Sequence, residues 1–271
     1  MTRQYCHIGS RTIAYLDSTP GQTSLRACVL LHAFPLGANM WEPQMRAIPA
    51  GWRLIALDLR GFGGSTDVDS VTAVGMEDYA ADVTDLLGEL GVKKAVIGGL
   101  SMGGYAAFAL LRSAPEMVEA LILADTRSGA DTPEGRANRR GMLAVVDREG
   151  PSGVAREMMP KLIGRTTQET NASMEPNVRR LIKQQSPVGV RCAILRMMHR
   201  PDSTPLLSSI TVPTLIIVGA EDELTPAAES QRMAEAIPGS KLVIIPDAGH
   251  LSNLEQPVAF NAALNEFLAS L

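Results

Sequence analysis

Residues 96–105, VIGGLSMGGY, place a serine between two glycines where an apolar run gives way to a helical pattern. Lys94–Gly98 has the pattern of a strand and Met102–Ser113 that of a helix, so Ser101 falls at their junction. A sharp strand-to-helix turn brings the residues two before and two after the serine into close approach, and only glycine fits at both places. The segment therefore predicts a turn that presents a nucleophile. A phosphate-binding loop is excluded, because both the Lys-Ser/Thr ending and the GxGxxG spacing are absent.

Short β-type runs alternate with helical patterns on both sides of this turn. The first two runs, QYCHIG and TIAYL, alternate in polarity and predict an antiparallel edge hairpin, whereas the later runs are almost wholly apolar, as in strands covered on both faces. These later runs are ACVLLH, RLIALD, KAVIGGL, EALILAD, PTLIIVG and KLVIIPD. Helices are predicted at Met76–Leu90, Met102–Ser113, Ala227–Ile237 and Pro257–Leu271. The alternation predicts an α/β fold with a mostly parallel eight-stranded sheet and helices on both faces.

No strand pattern appears between Thr126 and about Ile210, where helical stretches are separated by Gly, Pro and Thr/Asn. We interpret residues 126–210 as a helical lid inserted into a core formed by residues 1–125 and 211–271. The lid contains no Phe, Trp or Tyr but several methionines, whose unbranched side chains pack adaptably. The lid residues predicted to contact substrate are Met142, Met158, Leu162 and Met198. That these side chains only pack the lid against the core remains an alternative.

Composition limits the class of partner. The 271 residues are 45% hydrophobic and 20% charged, with a net charge of −4 and no basic run, so neither nucleic acid nor an anionic membrane is an expected partner. The three cysteines are widely spaced and form no CxxC or Cys/His cluster, so we expect free thiols and no metal. The N-terminus lacks the apolar stretch of a signal peptide, and no apolar run could span a bilayer, which predicts a cytoplasmic location.

A serine hydroxyl is a weak nucleophile at neutral pH and needs a base, which a carboxylate usually orients. Of the four histidines, His7 and His199 lie in the edge hairpin and the lid and are interpreted as structural, while His32 is expected to shape the loop after its strand. His250 follows the last predicted strand in the sequence IIPDAGH, next to a glycine that permits close approach, and is the predicted base.

The acid is predicted at Asp222, which lies in the exit loop of the strand LIIVG and precedes a Thr-Pro helix start. Asp125 and Asp247 are weaker candidates for the same role. Acyl transfer also needs donors for an oxyanion. We expect these to be the backbone N–H groups of Met102, at the start of the helix after the nucleophile, and of Phe34, in the loop HAFPLGANMW.

Taken together, these residues resemble the α/β-hydrolase fold superfamily over essentially the whole chain. The matching segments are GLSMG, LLHAFPLGANMW, DLRGFGGS, GAEDELTP and PDAGHLSNLEQP, in the chain order Ser, Asp, His. The chain is most similar to compact lidded esterases and lactonases such as the 3-oxoadipate enol-lactonases. The resemblance implies a triad of Ser101, Asp222 and His250 and an oxyanion hole at Phe34 and Met102. Ala33 departs from the pattern, because many relatives have glycine there, which would be needed if the position requires a positive φ.

The resulting hypothesis is a serine carboxylester hydrolase that acts on small, largely apolar substrates without a cofactor. The same triad could instead cleave a lactone, an enol-lactone or a C–C bond, or form a peracid, and a non-catalytic ligand-binding receptor is a third possibility. Trp41 and Tyr105 are further candidates for contact with substrate, or for packing beside the pocket. The expected partner is a small-molecule ester or lactone, and the chain is expected to act as a monomer or homodimer.

Overall fold

The structure, a computed structural model, describes residues 1–66 and 75–271. Its strands alternate with helices as the sequence predicts. The strands are β1 (Arg3–Ile8), β2 (Arg11–Asp17), β3 (Arg26–Leu31), β4 (Trp52–Leu57), β5 (Ala95–Leu100), β6 (Val118–Ala124), β7 (Thr214–Gly219) and β8 (Lys241–Ile245). They form an eight-stranded sheet in the order β1-β2-β4-β3-β5-β6-β7-β8.

Only β2 runs against the direction of the other strands. It pairs antiparallel with β1 and with β4, whereas each other neighbouring pair is parallel. The predicted edge hairpin and the predicted parallel sheet are therefore both confirmed. Parallel strands place their carboxyl ends at one edge of the sheet, so the loops after β3, β5, β6, β7 and β8 meet there.

Helices cover both faces of the sheet. They are α1 (Glu42–Met45), α2 (Glu77–Glu89), α3 (Met102–Ser113), α4 (Pro133–Leu162), α5 (Arg165–Thr170), α6 (Met174–Lys183), α7 (Pro187–His199), α8 (Ala227–Ala236), α9 (Ser252–Glu255) and α10 (Pro257–Ser270). Three 3-10 turns lie at Ala38–Trp41, Pro115–Met117 and Thr204–Ser209. The predicted helix at Met102–Ser113 has the same bounds as α3, and the other three agree with α2, α8 and α10 to within one residue.

Successive strand residues feed two separate apolar layers, because neighbouring side chains on a strand point to opposite faces. Val29 and Leu31 of β3 lie in the layer that also holds side chains of α2, α3 and α8. Cys28 and Leu30 of the same strand lie in the layer under α10. Residues 27–31 of β3 are buried on both faces, which is why they are all apolar rather than alternating in polarity.

The chain between β6 and β7 contains α4 to α7 and the turn at Thr204–Ser209, all within residues 126–210. We refer to this range as the lid; its status as a separate domain stays a prediction. Helix α4 consists of two halves, since Gly150 has φ 61° and ψ −157° and is followed by Pro151. Within residues 1–66 and 75–271, none of the helices is both long and apolar enough to cross a membrane.

Candidate active site

Ser101 occupies a strained backbone position between β5 and α3. Its φ of 55° and ψ of −110° are unusual for a residue with a side chain. A Cβ added to Gly99 would lie 2.1 Å from the backbone of Gly103, and one added to Gly103 would lie 2.1 Å from the carbonyl oxygen of Leu31. The close approach inferred from the sequence is therefore present, and neither glycine can be replaced without moving the backbone.

His250 is buried and faces the same cavity as Ser101. Its Nδ1 lies 2.8 Å from Oδ2 of Asp222, which is also buried. An ionised carboxylate only accepts hydrogen bonds, so this contact places the imidazole proton on Nδ1 and leaves Nε2 as a proton acceptor. The structure thus brings together the predicted base and the predicted acid.

Asp222 is held by its own loop as well as by His250. Its Oδ1 accepts hydrogen bonds from the N–H groups of Leu224 (2.8 Å) and Thr225 (2.9 Å), and its Oδ2 accepts one from the Thr225 hydroxyl (2.7 Å). Burial alone would raise the pKa of this carboxyl, but the attraction of His250 and the hydrogen bonds from His250 and Thr225 lower the pKa below its ordinary value. Asp222 is therefore ionised at neutral pH and can orient and stabilise a protonated imidazole.

The two alternative aspartates occupy different surroundings. Asp125 is fully buried after β6 and accepts hydrogen bonds from the Gly219 N–H (2.8 Å) and the Ser252 hydroxyl. Burial, followed by the charge of Asp222, raises the pKa of Asp125 well above its ordinary value. Asp247 is exposed. Among the three candidates, the contact with His250 belongs to Asp222.

The two predicted oxyanion donors lie where β3 and β5 end. Phe34 lines the cavity, and Met102 is the first residue of α3, where N–H groups have no intrahelical acceptor. Among the described residues, neither amide donates to another backbone group. The Phe34–Pro35 peptide bond is cis, and Ala33 is outside the positive-φ region, so alanine there carries no backbone strain.

Buried polar groups fix the loop that carries Phe34. His32 Nδ1 donates to the Ala33 carbonyl (2.9 Å), and its Nε2 accepts from the Leu59 N–H (3.0 Å). Burial lowers the pKa of His32 to about 4, so this histidine is neutral and shapes the loop as expected. Asp58 accepts from the Ala38 N–H (2.8 Å), which joins the loop after β4 to the same segment.

Glu255 is a buried residue beside His250 that the sequence analysis did not identify. Its buried carboxylate accepts from the N–H groups of Gly249 (3.0 Å) and Leu251 (3.1 Å), the two neighbours of His250, and from that of Gly164 in the lid (2.7 Å). The segment HLSNLE offers a weak signal, a glutamate on a short helix directly after the base, but its acceptor role depends on a lid residue far away in sequence.

A cavity of about 490 Å³ lies over Ser101 and His250. Four predicted side chains besides these two line it, namely Phe34, Tyr105, Met142 and Met158. The volume is in the range of small-molecule sites. The structure therefore places the predicted nucleophile, the predicted base and part of the predicted substrate surface around one space.

Three other predicted contacts lie outside that lining among the described residues. Trp41 packs under α10, with its ring centroid 6.0 Å from that of Phe260, and Leu162 is fully buried in the same apolar layer. Met198 is also absent from the lining, where its neighbour Met197 stands instead. The first two side chains face the core, and the register of α7 turns Met197 rather than Met198 toward the cavity, so substrate contact by these three residues stays a prediction.

The cavity wall also carries charged lid residues that the expectation of an apolar lid did not include. Arg127, Asp131, Arg139, Glu157 and Lys161 all line it. A helical signal existed for Arg139, because Gly135, Asn138, Arg139 and Met142 follow the i, i+3, i+4, i+7 spacing of one helix face. No comparable signal marks Arg127, which reaches the cavity from the loop after β6.

Known proteins share the fold that carries this cavity, the strained serine and the Asp–His pair. The family model described as the α/β hydrolase fold matches residues 27–257. The chain belongs to the α/β hydrolase fold family. A thermophilic esterase from Thermogutta terrifontis, solved with malate bound, superposes with a TM-score of 0.92 at 40% identity, covering 100% of this chain and 99% of that one.

Curated relatives of similar length catalyse different reactions. 3-Oxoadipate enol-lactonase 2 of Acinetobacter baylyi is 28% identical over 94% of this chain and 93% of its own length. The 2-hydroxy-6-oxononadienedioate/2-hydroxy-6-oxononatrienedioate hydrolase of Klebsiella pneumoniae is 29% identical over 89% of this chain and 86% of its own. Within the part of this chain that the structure describes, no group of three or more His, Cys, Asp or Glu could hold a metal ion.

Proposed function

We propose that this protein is a serine hydrolase that cleaves carboxylic esters through Ser101, His250 and Asp222. The observation that carries the proposal is the buried 2.8 Å contact between His250 and Asp222 beside the cavity that the strained Ser101 turn enters. A strained turn and an oriented imidazole have no evident value for packing alone. The turn presents the hydroxyl, and the oriented imidazole is the base that activates it. The 40% identical esterase supports the choice of an ester bond.

In the first half of the reaction, His250 Nε2 takes the Ser101 proton as Oγ attacks the ester carbonyl carbon. The carbonyl oxygen becomes an oxyanion, to which the Phe34 and Met102 N–H groups donate. The tetrahedral intermediate collapses, the bond to the alcohol oxygen breaks, and the imidazolium returns its proton to the leaving alcohol. Asp222 stays ionised throughout and stabilises the imidazolium.

In the second half, His250 takes a proton from water, whose oxygen attacks the acyl-enzyme. Collapse of the second intermediate breaks the acyl–Ser101 bond, returns the proton to Ser101 and releases the carboxylic acid. A lactone would follow the same steps with its alcohol still attached to the acyl group. The similar proteins include an enol-lactonase as well as an esterase, so the substrate panel must include lactones.

The test is labelling with a fluorophosphonate, followed by peptide mapping, together with hydrolysis of p-nitrophenyl acetate and butyrate and of a lactone panel. We expect the label on Ser101, and we expect Ser101→Ala to lower kcat by more than about 10⁴-fold. Ser113→Ala, at the far end of α3, is the matched control and should keep both activity and label. Full turnover by Ser101→Ala would remove this residue from the mechanism, and a strong preference for lactones would replace the ester substrate.

A further inference from the structure

Asp131 lies at the centre of an arginine cluster on one wall of the cavity. Its Oδ1 accepts from Arg127 (2.9 Å) and Arg200 (2.8 Å), and its Oδ2 accepts from Arg139 Nε (3.0 Å). Burial alone would raise the pKa of Asp131, but Arg139 and Arg200 lower the pKa below its ordinary value. One carboxylate therefore faces three guanidinium groups, and two positive charges in the cluster have no counter-charge within it.

The excess charge faces the reaction space. Arg127 and Arg139 line the same cavity as Ser101 and His250, whereas Arg200 is buried behind them and stacks on Tyr105 at 4.0 Å. Glu157, the other acidic residue of the lining, pairs with Arg156 at 2.8 Å. The cavity wall is thus positive even though the whole chain has a net charge of −4.

A lysine adds to the positive charge of this cavity wall. Lys161 also lines the cavity, and among residues 1–66 and 75–271 no ion pair of its ammonium group is found. Arg139 donates to Asp131 through Nε alone, so its two terminal nitrogens make no hydrogen bond to that carboxylate. Arg127 has a buried Nε without a hydrogen-bond partner among the described residues. The terminal nitrogens of Arg139 and the ammonium group of Lys161 are therefore available after the internal ion pairs have formed.

The geometry points to an anion subsite: the substrate carries a carboxylate away from the bond that is cleaved, and Arg127 and Arg139 bind it with support from Lys161. The inferred substrate is therefore an ester or lactone of a dicarboxylic acid or of a hydroxy acid. This substrate class replaces the largely apolar ester expected from the sequence. This inference rests on the proposed function, because it places the second anion relative to the bond that Ser101 attacks. Guanidinium groups bind a planar carboxylate through paired hydrogen bonds, which favours this anion.

A purely structural role for the cluster makes a different prediction. If the arginines only join the loop after β6 to α4, replacing one of them changes kcat/KM for neutral and for anionic substrates by the same factor. An anion subsite instead changes the ratio of the two rates. The ratio of kcat/KM values within one variant is therefore the decisive measurement, because loss of folded protein cancels from it.

The experiment compares two matched pairs of substrates. Mono-p-nitrophenyl adipate and p-nitrophenyl hexanoate differ by a carboxylate on the acyl side, and the butyrate esters of 4-hydroxybenzoate and 4-hydroxybenzamide differ by one on the alcohol side. We expect at least one pair to show a preference for the anion. Arg139→Gln and Arg127→Gln should each lower that ratio about tenfold or more, the effect of one lost charge-assisted hydrogen bond.

Arg140→Gln is the control, since Arg140 is the exposed neighbour of Arg139 on α4 and lies outside the cavity lining. It should leave the ratio unchanged. The preference should also weaken as salt is added. If Arg127→Gln and Arg139→Gln both keep the wild-type ratio for both pairs, the subsite is wrong. That result is distinct from failure of the proposed function, in which neutral esters are not turned over or Ser101→Ala retains activity.

Discussion

Asp222 and Asp125 are both buried beside the loop of His250, but their carboxyl groups have different partners. Asp222 contacts the imidazole at 2.8 Å and has a lowered pKa, whereas Asp125 has a raised pKa because of burial and the nearby charge of Asp222. Asparagine keeps the shape of aspartate but has one acceptor oxygen. If that oxygen accepts from the Leu224 and Thr225 N–H groups, the NH₂ group faces Nδ1 of His250 and favours the imidazole tautomer protonated on Nε2. The two positions therefore respond differently to the same substitution.

We expect Asp222→Asn to lower kcat for p-nitrophenyl butyrate by about 10³–10⁴-fold. Asp125→Asn should stay within about fivefold of wild type, because the new amide can accept from the Gly219 N–H and donate to the Ser252 hydroxyl. Steady-state kinetics of the two variants provide the check. An equal loss of kcat in the two variants would assign the orienting role to Asp222 and Asp125 together rather than to Asp222 alone.

His32 makes folding stability depend on pH. Burial lowers its pKa from 6.5 to about 4. Between these values the unfolded chain binds a proton that the folded chain does not, so the free energy of unfolding falls as pH decreases from 6.5 to 4. At 1.36 kcal/mol for each pH unit, this single group contributes a loss of about 3 kcal/mol over that window.

Urea unfolding of wild type and His32→Asn at several pH values between 4 and 7.5 measures this contribution. We expect the variant to be less stable at pH 7.5, because it loses the imidazole contacts to Ala33 and Leu59. Its stability should fall about 3 kcal/mol less than that of wild type between pH 6.5 and 4. Parallel pH curves for the two proteins would show that His32 titrates normally in the fold.

At the scale of elements, the contact between β3 and α3 requires glycine at position 103. A Cβ there would meet the Leu31 carbonyl oxygen at 2.1 Å, and backbone atoms cannot move aside as a flexible side chain can. We expect Gly103→Ala to lower the free energy of unfolding by about 2–4 kcal/mol. Gly141→Ala is the control, since Gly141 lies in α4 with nothing within 4 Å of the added Cβ, and it should gain up to about 1 kcal/mol. Urea titration of both variants distinguishes them, and equal stability would contradict the close approach.

Local patterns in the sequence predict the elements well and their long-range contacts poorly. The apolar runs and the glycines around Ser101 follow from short-range geometry, so the strands, α3 and the nucleophile turn are all present as predicted. The arginine cluster joins Arg127, Asp131 and Arg200, and the last two are 69 positions apart in the chain. Which of two adjacent residues faces the cavity, Met197 or Met198, depends on how α7 is rotated against the core. Neither the long-range contacts of the arginine cluster nor the rotation of α7 follows from the hydrophobic periodicity of a short segment.

At the scale of the whole molecule, the lid is joined to the loops that carry the reactive groups. Gly189 of α7 packs against Gly61 so closely that a Cβ would lie 1.8 Å from its carbonyl oxygen. The Glu221 carboxylate, next to Asp222, accepts from the Thr166 N–H at 2.9 Å. Glu255 accepts from Gly164 at 2.7 Å. The lid therefore contributes to the position of the proposed acid and base, in addition to forming the cavity wall.

Glu255 provides the sharpest test of this coupling, because its carboxylate accepts three backbone N–H groups, two beside His250 and one in the lid. Glutamine has one acceptor oxygen and an NH₂ group that cannot accept, so Glu255→Gln leaves at least one buried donor unpaired, at a cost of about 1–3 kcal/mol. We expect a lower Tm and, well below that Tm, a kcat reduced about 10–100-fold with little change in KM, because the imidazole is no longer held in place. Glu266→Gln, the same change at an exposed residue of α10, should alter neither. A lower Tm with an unchanged kcat would restrict Glu255 to folding, whereas a larger effect on KM than on kcat would place its influence on the lid wall rather than on the base.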